Sequence, residues 1–246
     1  MGYSQLAWER AAAAVAARAL REVPFYRERH ARGRGLAPVP TEELEGRLWA
    51  LCPLSRPYRA MTEPTLWTGD PADLAAAVRG CGAGGGAVVE VRSAVVPWDR
   101  LGPLGPRYAP VLSPTATAVD VSASDGPARA LVAGGRTVLV SAPEDVDAVQ
   151  GRIGAVTVVV RRLAKVGEPG CLAVLHDRHL GYFATRPTSC GQWHLLWRRF
   201  HVAPGDGGVL VTALKRRRPT LVRVAVDVGL RQVAECSVHG TPVLQA

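Results

Sequence analysis

Lysine is nearly absent from these 246 residues: of 30 basic side chains, 28 are arginine, and only Lys165 and Lys215 carry an amine. Any mechanism that needs a lysine amine therefore has two candidates. Long apolar runs are missing too. No stretch approaches ~18 consecutive apolar residues, so no membrane-crossing helix and no membrane partner are expected. The opening residues, Met1-Gly-Tyr-Ser-Gln-Leu-Ala-Trp-Glu-Arg10, lack a basic segment followed by an apolar one, which reads against a secretory leader. The five cysteines (Cys52, Cys81, Cys171, Cys190 and Cys236) are odd in number, widely separated and never in CxxC spacing. Neither a zinc ribbon nor a disulfide framework is indicated, no metal ligand is predicted, and reduced thiols in a cytoplasm are the expectation.

The rest of the composition describes a foldable globular chain, with 48% hydrophobic residues and a mean hydropathy of +0.07. Its length can bury one large core or two small ones. The net charge of +9 is unevenly placed. Residues 1–150 hold 16 basic and 16 acidic side chains, whereas residues 151–246 hold 14 basic against 5 acidic, so the whole excess lies in the second part. An anionic partner for that part follows: phosphate, CoA, an acidic carrier protein or nucleic acid.

Apolar spacing predicts an amphipathic helix over residues 4–22, with Leu6, Trp8, Val15, Ala19 and Leu20 near helical spacing. Pro24 should end or kink it, leaving Phe25 and Tyr26 to anchor its end. Thr41 reads as an N-cap for a short helix to about Leu51, and Pro71 as the entry to another from Asp70 to Val78. Strands are expected at 87–91, 119–121, 130–132, 136–141 and 156–160, with a hairpin-type turn at Gly134-Gly135 and a helix over 145–153. Beyond residue 170 the pattern is mostly β, including a strand over 192–200. The fold class is therefore α/β, with an N-terminal helix and an α/β part at 1–155 followed by a basic, antiparallel, β-rich part at 156–246, as two units or one continuous domain.

Four polar features carry candidate chemistry. Gly80-Cys-Gly-Ala-Gly-Gly-Gly86 lacks the Lys and hydroxyls of a phosphate loop and reads as a turn. His176-Asp177-Arg178-His179 reads first as a hydrogen-bonded turn, with His176 or His179 as candidate general bases because imidazole titrates near neutral pH. In Cys190-Gly-Gln-Trp-His194, a thiol and an imidazole could form a nucleophilic pair. Strand alternation would put Trp193 and Trp197 on one aromatic face and Gln192, His194 and Arg198 on the other. Lys215-Arg216-Arg217-Arg218, with Arg198 and Arg199, is either a solvated basic surface or a clamp for phosphate groups or an acidic protein. No helix-turn-helix, zinc finger or RNA-recognition signature accompanies the charge, so nucleic acid ranks last among partners.

The leading helix, Val23-Pro-Phe-Tyr-Arg-Glu-Arg29 and the helix opening Pro38-Val-Pro-Thr-Glu-Glu-Leu44 together resemble the start of phenylacetate-CoA-ligase-like adenylate-forming enzymes. Gly167-Glu168-Pro169-Gly170 is similar to the GEPGEL turn that precedes a late strand in the same superfamily. The interval between the two motifs is short, and the Ser/Thr/Gly phosphate loop, the aromatic-x-x-Thr-Glu motif and the ribose-binding aspartate are missing. The resemblance implies a shortened, degenerate relative from specialised metabolism, without normal ATP-dependent adenylation. Such a protein would bind or transfer an acyl or aryl group on CoA or a carrier protein, with Arg198, Arg199 and Lys215 to Arg218 receiving the phosphopantetheine. A non-catalytic interaction subunit using the Trp193 and Trp197 face is the alternative.

Overall fold

The computed structural model describes residues 2–59, 70–93, 102–116, 125–162, 172–206, 208–216, 218–226 and 231–245. Helix α1 spans Gln5–Glu22 and starts where the Ser4 hydroxyl accepts the Ala7 amide proton at 3.4 Å. It buries Trp8, Val15 and Ala19 along one stripe, and the Trp8 indole N–H donates to the Phe200 carbonyl at 2.8 Å. Pro24 does break the helix, but it also begins another. Val23 is extended, and Pro24 occupies the first turn of α2, Pro24–Ala31, where its missing N–H has no partner to lose. "PFYRER" is thus helical throughout. Phe25 and Tyr26 are buried as expected, and the Tyr26 hydroxyl accepts the Val222 amide at 2.7 Å. Buried Arg29 pairs with Glu43 and donates to the Ala37 and Pro38 carbonyls at 3.2 and 3.0 Å. One guanidinium thereby ties the 34–44 segment to α2. Thr41–Leu44 is only a 3-10 turn, and Thr41 caps nothing.

The main sheet has nine strands. Strands β1 (Ala87–Arg92), β2 (Tyr108–Leu112), β3 (Thr137–Ser141), β4 (Thr157–Arg162) and β5 (Ala173–Asp177) pair in parallel in the order β2-β1-β3-β4-β5. The sheet then turns antiparallel through β6 (Gly181–Arg186), β7 (Trp193–Leu195), β12 (Pro242–Gln245) and β11 (Arg231–Glu235). Between the last two groups the chain builds a separate three-stranded antiparallel sheet from β8 (Phe200–Gly205), β9 (Gly208–Ala213) and β10 (Val224–Val226). The expected mixed α/β class is what the chain adopts. Residue 155 falls between α5 and β4, inside one unbroken sheet.

Helices cover both faces of the parallel strands. On one face α3 (Pro71–Gly80), capped by the Asp70 carboxylate on the Ala72 amide at 2.8 Å, packs Leu74 and Val78 against Val88, Val138, Val140 and Val159. On the other, α4 (Asp125–Ala133) and α5 (Val146–Ile153) pack Ala128, Val149 and Ile153 against Val89, Val91 and Leu139. A third apolar cluster joins α1, α2, the antiparallel strands and the small sheet. Two expectations fail here. The segment 130–132 belongs to α4, so Gly134-Gly135 ends a helix and is no hairpin. The run 192–200 is two strands in different sheets, because the chain turns at 196–199. The strand expected at 119–121 lies outside the described residues.

Candidate metal centre

β12 is inserted between β7 and β11, and this arrangement brings two distant sequence pairs together at one end of those strands. Cys190 sits in the turn before β7, where Gly191 has φ +66°, and His194 is in the middle of β7. Cys236 follows β11 and opens a tight turn, closed by the Gly240 amide on the Cys236 carbonyl and the Cys236 amide on the Thr241 carbonyl, both 2.8 Å. His239 lies in that turn. The ligand atoms of Cys190, His194, Cys236 and His239 all fall within 4.8 Å of one another. Cys190 Sγ is 2.9 Å from His194 Nε2, and Cys236 Sγ is 3.6 Å from His239 Nδ1.

Two thiols and two imidazoles converging in this way match a tetrahedral Cys2His2 zinc site. With Zn–S near ~2.3 Å and Zn–N near ~2.0 Å, ligand atoms stand about 3.3–3.8 Å apart. The second ring nitrogens complete the match. His194 Nδ1 is 2.8 Å from the Thr241 hydroxyl and His239 Nε2 is 3.2 Å from the Ser189 hydroxyl. Each imidazole can donate its remaining N–H to a neighbouring hydroxyl and so turn a lone pair inward. Burial, then the neighbouring His239, pushes His194 down to about 4, so at pH 7 its ring is neutral, the form that can ligate a metal. Burial raises Cys236, but hydrogen bonds from the His239 ring and the Val238 and His239 amides overcome it and lower the thiol. Cys190 is raised, first by burial, with the adjacent Cys236 adding to it. Two thiols this close resist sharing negative charge until a cation lies between them.

Cys190 and His194, expected as a nucleophile and its base, do touch. They do so as half of a four-ligand set, a role the sequence reading missed, and Cys236 and His239 were not singled out. The available clue is the pair of spacings Cys-x3-His and Cys-x2-His, neither of which is the CxxC of a zinc ribbon.

The other expected site residues are dispersed. His176 packs on Tyr182 with ring centroids 4.7 Å apart. Burial and the nearby Arg161 push it down to about 3, too weak a base to take a proton at neutral pH. His179 lies in the β5–β6 turn, where Asp177 Oδ1 accepts the His179 and Leu180 amides at 2.8 and 2.9 Å, and burial lowers its ring. Arg199 and Arg216 both turn inward to Asp73 on α3, and Arg199 also reaches Asp70 at 3.0 Å. Arg198 lies 5.0 Å over the Trp197 ring, Lys215 is exposed, Arg218 donates to the Pro57 carbonyl at 2.9 Å, and Arg217 lies outside the described residues, as do Lys165 and 167–170. Trp193 is 4% exposed, and half-buried Trp197 packs on Tyr3 with ring centroids 5.5 Å apart, so only part of the expected aromatic face is open to a partner.

A second polar cluster was not foreseen at all. Within β1, fully buried Glu90 accepts from Tyr108 and Tyr182 hydroxyls at 2.5 and 2.7 Å and from Arg92 Nε at 2.8 Å. Burial alone would raise its carboxyl, but Arg92 and the two phenols hold it below the ordinary value. The hint was a carboxylate inside the apolar run Ala87-Val-Val-Glu-Val91, because a charge buried among β-branched residues requires partners.

No family model matches the sequence, and no curated protein matches it. Among solved structures the fold is similar to that of an acyl-CoA ligase. The match is to 2-hydroxyisobutyryl-CoA ligase (HCL) in complex with 2-HIB-AMP and CoA in the thioesterification state, with a TM-score of 0.56 and 11% identity. It covers 98% of this chain and 66% of that one. The likeness is one of fold. Among the described residues, no helix is long and apolar enough to cross a membrane.

Proposed function

We propose that this chain is a non-adenylating protein built on a CoA-ligase-like scaffold, which binds an acyl or aryl group carried on CoA or a carrier protein and is held together by a structural zinc ion. The observation that carries the reading is the charge at the end of β6. Tyr182-Phe183-Ala184-Thr185-Arg186 runs in aromatic-x-x-Thr order, but a guanidinium stands where the adenylation motif has its carboxylate. Arg186 is 6% exposed and lies 5.3 Å over the Trp193 ring. A buried cation there repels magnesium and offers it no ligand, since magnesium is bound through oxygen. The missing hydroxyl loop points the same way.

Cys190, His194, Cys236 and His239 would hold the zinc. With all four positions filled by protein, the ion would supply cross-linking and no open site for substrate or water. The superposed ligase was solved with an acyl adenylate and CoA, which supports a retained relation to acyl thioesters. The basic excess beyond residue 150 suits a phosphopantetheine or an acidic carrier.

The test pairs ATP–pyrophosphate exchange with calorimetric titration of zinc-loaded protein by CoA, phenylacetyl-CoA and an acylated carrier protein. No exchange and binding of at least one thioester are expected. Clear exchange, or no binding of any thioester at millimolar concentration, defeats the reading.

A further inference from the structure

The three-stranded sheet has one face in the core and one turned toward α1. Cross-strand pairing puts Phe200, Val202, Val211 and Ala213 inward, leaving His201 opposite Thr212 and Ala203 opposite Leu210 on the other face. Above them α1 presents Ala12, Ala13 and Ala16, three small residues within little more than one turn, so the helix does not fill the gap. A groove of about 330 Å³ remains, closed at one side by Leu36 and Val222. That is at the small end of ligand sites, equal to roughly ten waters at ~30 Å³ each.

Arg223 also lines this largely apolar groove. Its backbone is pinned on both sides: the Thr212 hydroxyl accepts its amide proton at 3.0 Å and its carbonyl accepts the Val39 amide at 2.9 Å, while the Val39 carbonyl accepts the Ala225 amide at 2.8 Å. It is also the only described non-glycine residue with positive φ, at +52°, a conformation that costs a side-chain-bearing residue about 1 kcal/mol or more. The fold thus fixes an arginine in a backbone state better suited to glycine. Its Nε is buried without a hydrogen-bond partner, and no ion pair engages the guanidinium among the described residues. An unpaired, partly desolvated guanidinium beside apolar walls is a poor arrangement for an empty surface and a good one for a carboxylate. His201 adds a second donor. Its ring stacks on Trp8 with centroids 4.3 Å apart, and burial lowers it, so it faces the groove as a neutral imidazole with an N–H to give. Glu9, also on the lining, is exposed and already accepts from Gln5 Nε2 at 2.6 Å.

We infer that this groove binds a small organic acid, an aliphatic chain or single ring bearing one carboxylate, with the carboxylate on Arg223 and the apolar body between the α1 alanines and Leu210. The site shares no residue with the metal centre and needs no CoA, so it goes beyond the function proposed above and is tested apart from it.

The probes are hexanoate and 3-phenylpropionate, their neutral amides, and phenethylamine, titrated into the full chain with zinc bound. Binding is followed by calorimetry and by chemical-shift changes of Ala13 and Leu210 methyls. Carboxylates are expected to bind with the amides roughly tenfold or more weaker, as loss of a charge-assisted pair requires. Arg223→Gly, which suits φ +52°, should keep the fold by circular dichroism and lose carboxylate binding. Ala13→Phe, on the exposed side of α1, should block both acids by filling the groove. Equal affinity for acid and amide, tighter binding of the amine, or undiminished acid binding by either folded variant overturns the inference.

Discussion

His176 shows how the interior assigns charge residue by residue. Its ring lies against Tyr182 and near Arg161 and Arg92, with only Glu90 of opposite sign, so the neutral form is favoured down to about pH 3. The folded value is depressed below the unfolded one, near ~6.5. The resulting stability is present above pH 6.5 and is lost progressively as pH falls from 6.5 toward 3, because the unfolded chain takes up the proton first. Replacing His176 by Phe keeps an aromatic ring on Tyr182 and removes the proton site. Urea midpoints measured from pH 7 to pH 4 should fall more steeply for the native protein than for this variant. Parallel curves would show that His176 is free to ionise in the folded state. Glu90 is the complementary case, its carboxylate held ionised by Arg92 and two phenols. Tyr182→Phe removes one of those hydrogen bonds and should cost about 1–2 kcal/mol of stability, read as a shift in thermal midpoint.

At the scale of elements, α3 is bound to the rest of the fold by charge as well as by its apolar stripe. Asp73 in its first turn receives Arg199 from the turn before β8 and Arg216 from the loop after β9, and both it and Arg216 are buried. Asp73→Asn leaves Arg216 uncompensated and is expected to destabilise by about 3–5 kcal/mol. Adding Arg216→Leu to that variant should recover part of the loss, a pattern that denaturant midpoints can resolve. No such pairing was legible in the sequence. Residue 73 is more than a hundred positions from both 199 and 216, and in sequence Arg199 and Arg216 read as surface charges available to a phosphate. Local pattern did reveal α1, α3, α5 and β1, β3 and β4, where apolar period and turn residues agree over a full element. It failed at 130–132, where an apolar triplet suits helix or strand equally. It failed again at 192–200, where alternation continues through a turn between two sheets. The nucleophilic reading of Cys190 and His194 rests only on a thiol close to an imidazole in sequence. Their real partners come from beyond β11, a contact only the insertion of β12 creates.

For the whole molecule, one sheet carries two regimes. The parallel strands β1–β5 are covered on both faces by helices and need no further support, whereas β7, β11 and β12 are short and meet at the four-ligand site. Zinc removal should therefore act unevenly. With a strong chelator, hydrogen exchange is expected to speed up in β7, β11 and β12 while β1 and β3 keep their protection. Metal analysis should return one zinc per chain, lost in Cys236→Ser. Uniform loss of protection, or none, would show that the four side chains are not a strap for this end of the sheet.

The position of β12 between β7 and β11 also orders events in time. The ligands lie at 190, 194, 236 and 239, so the ion cannot be fully enclosed until some fifty residues after the first pair have been synthesised. During that interval β7 has an unfilled edge and Cys190 an unshielded thiol. On the ribosome the helix-covered half can settle early, as domains fold in the order of synthesis, while closure of the other half waits for metal. A zinc ion held as proposed would therefore be bound only late, when the chain that fills the β7 edge is itself being completed.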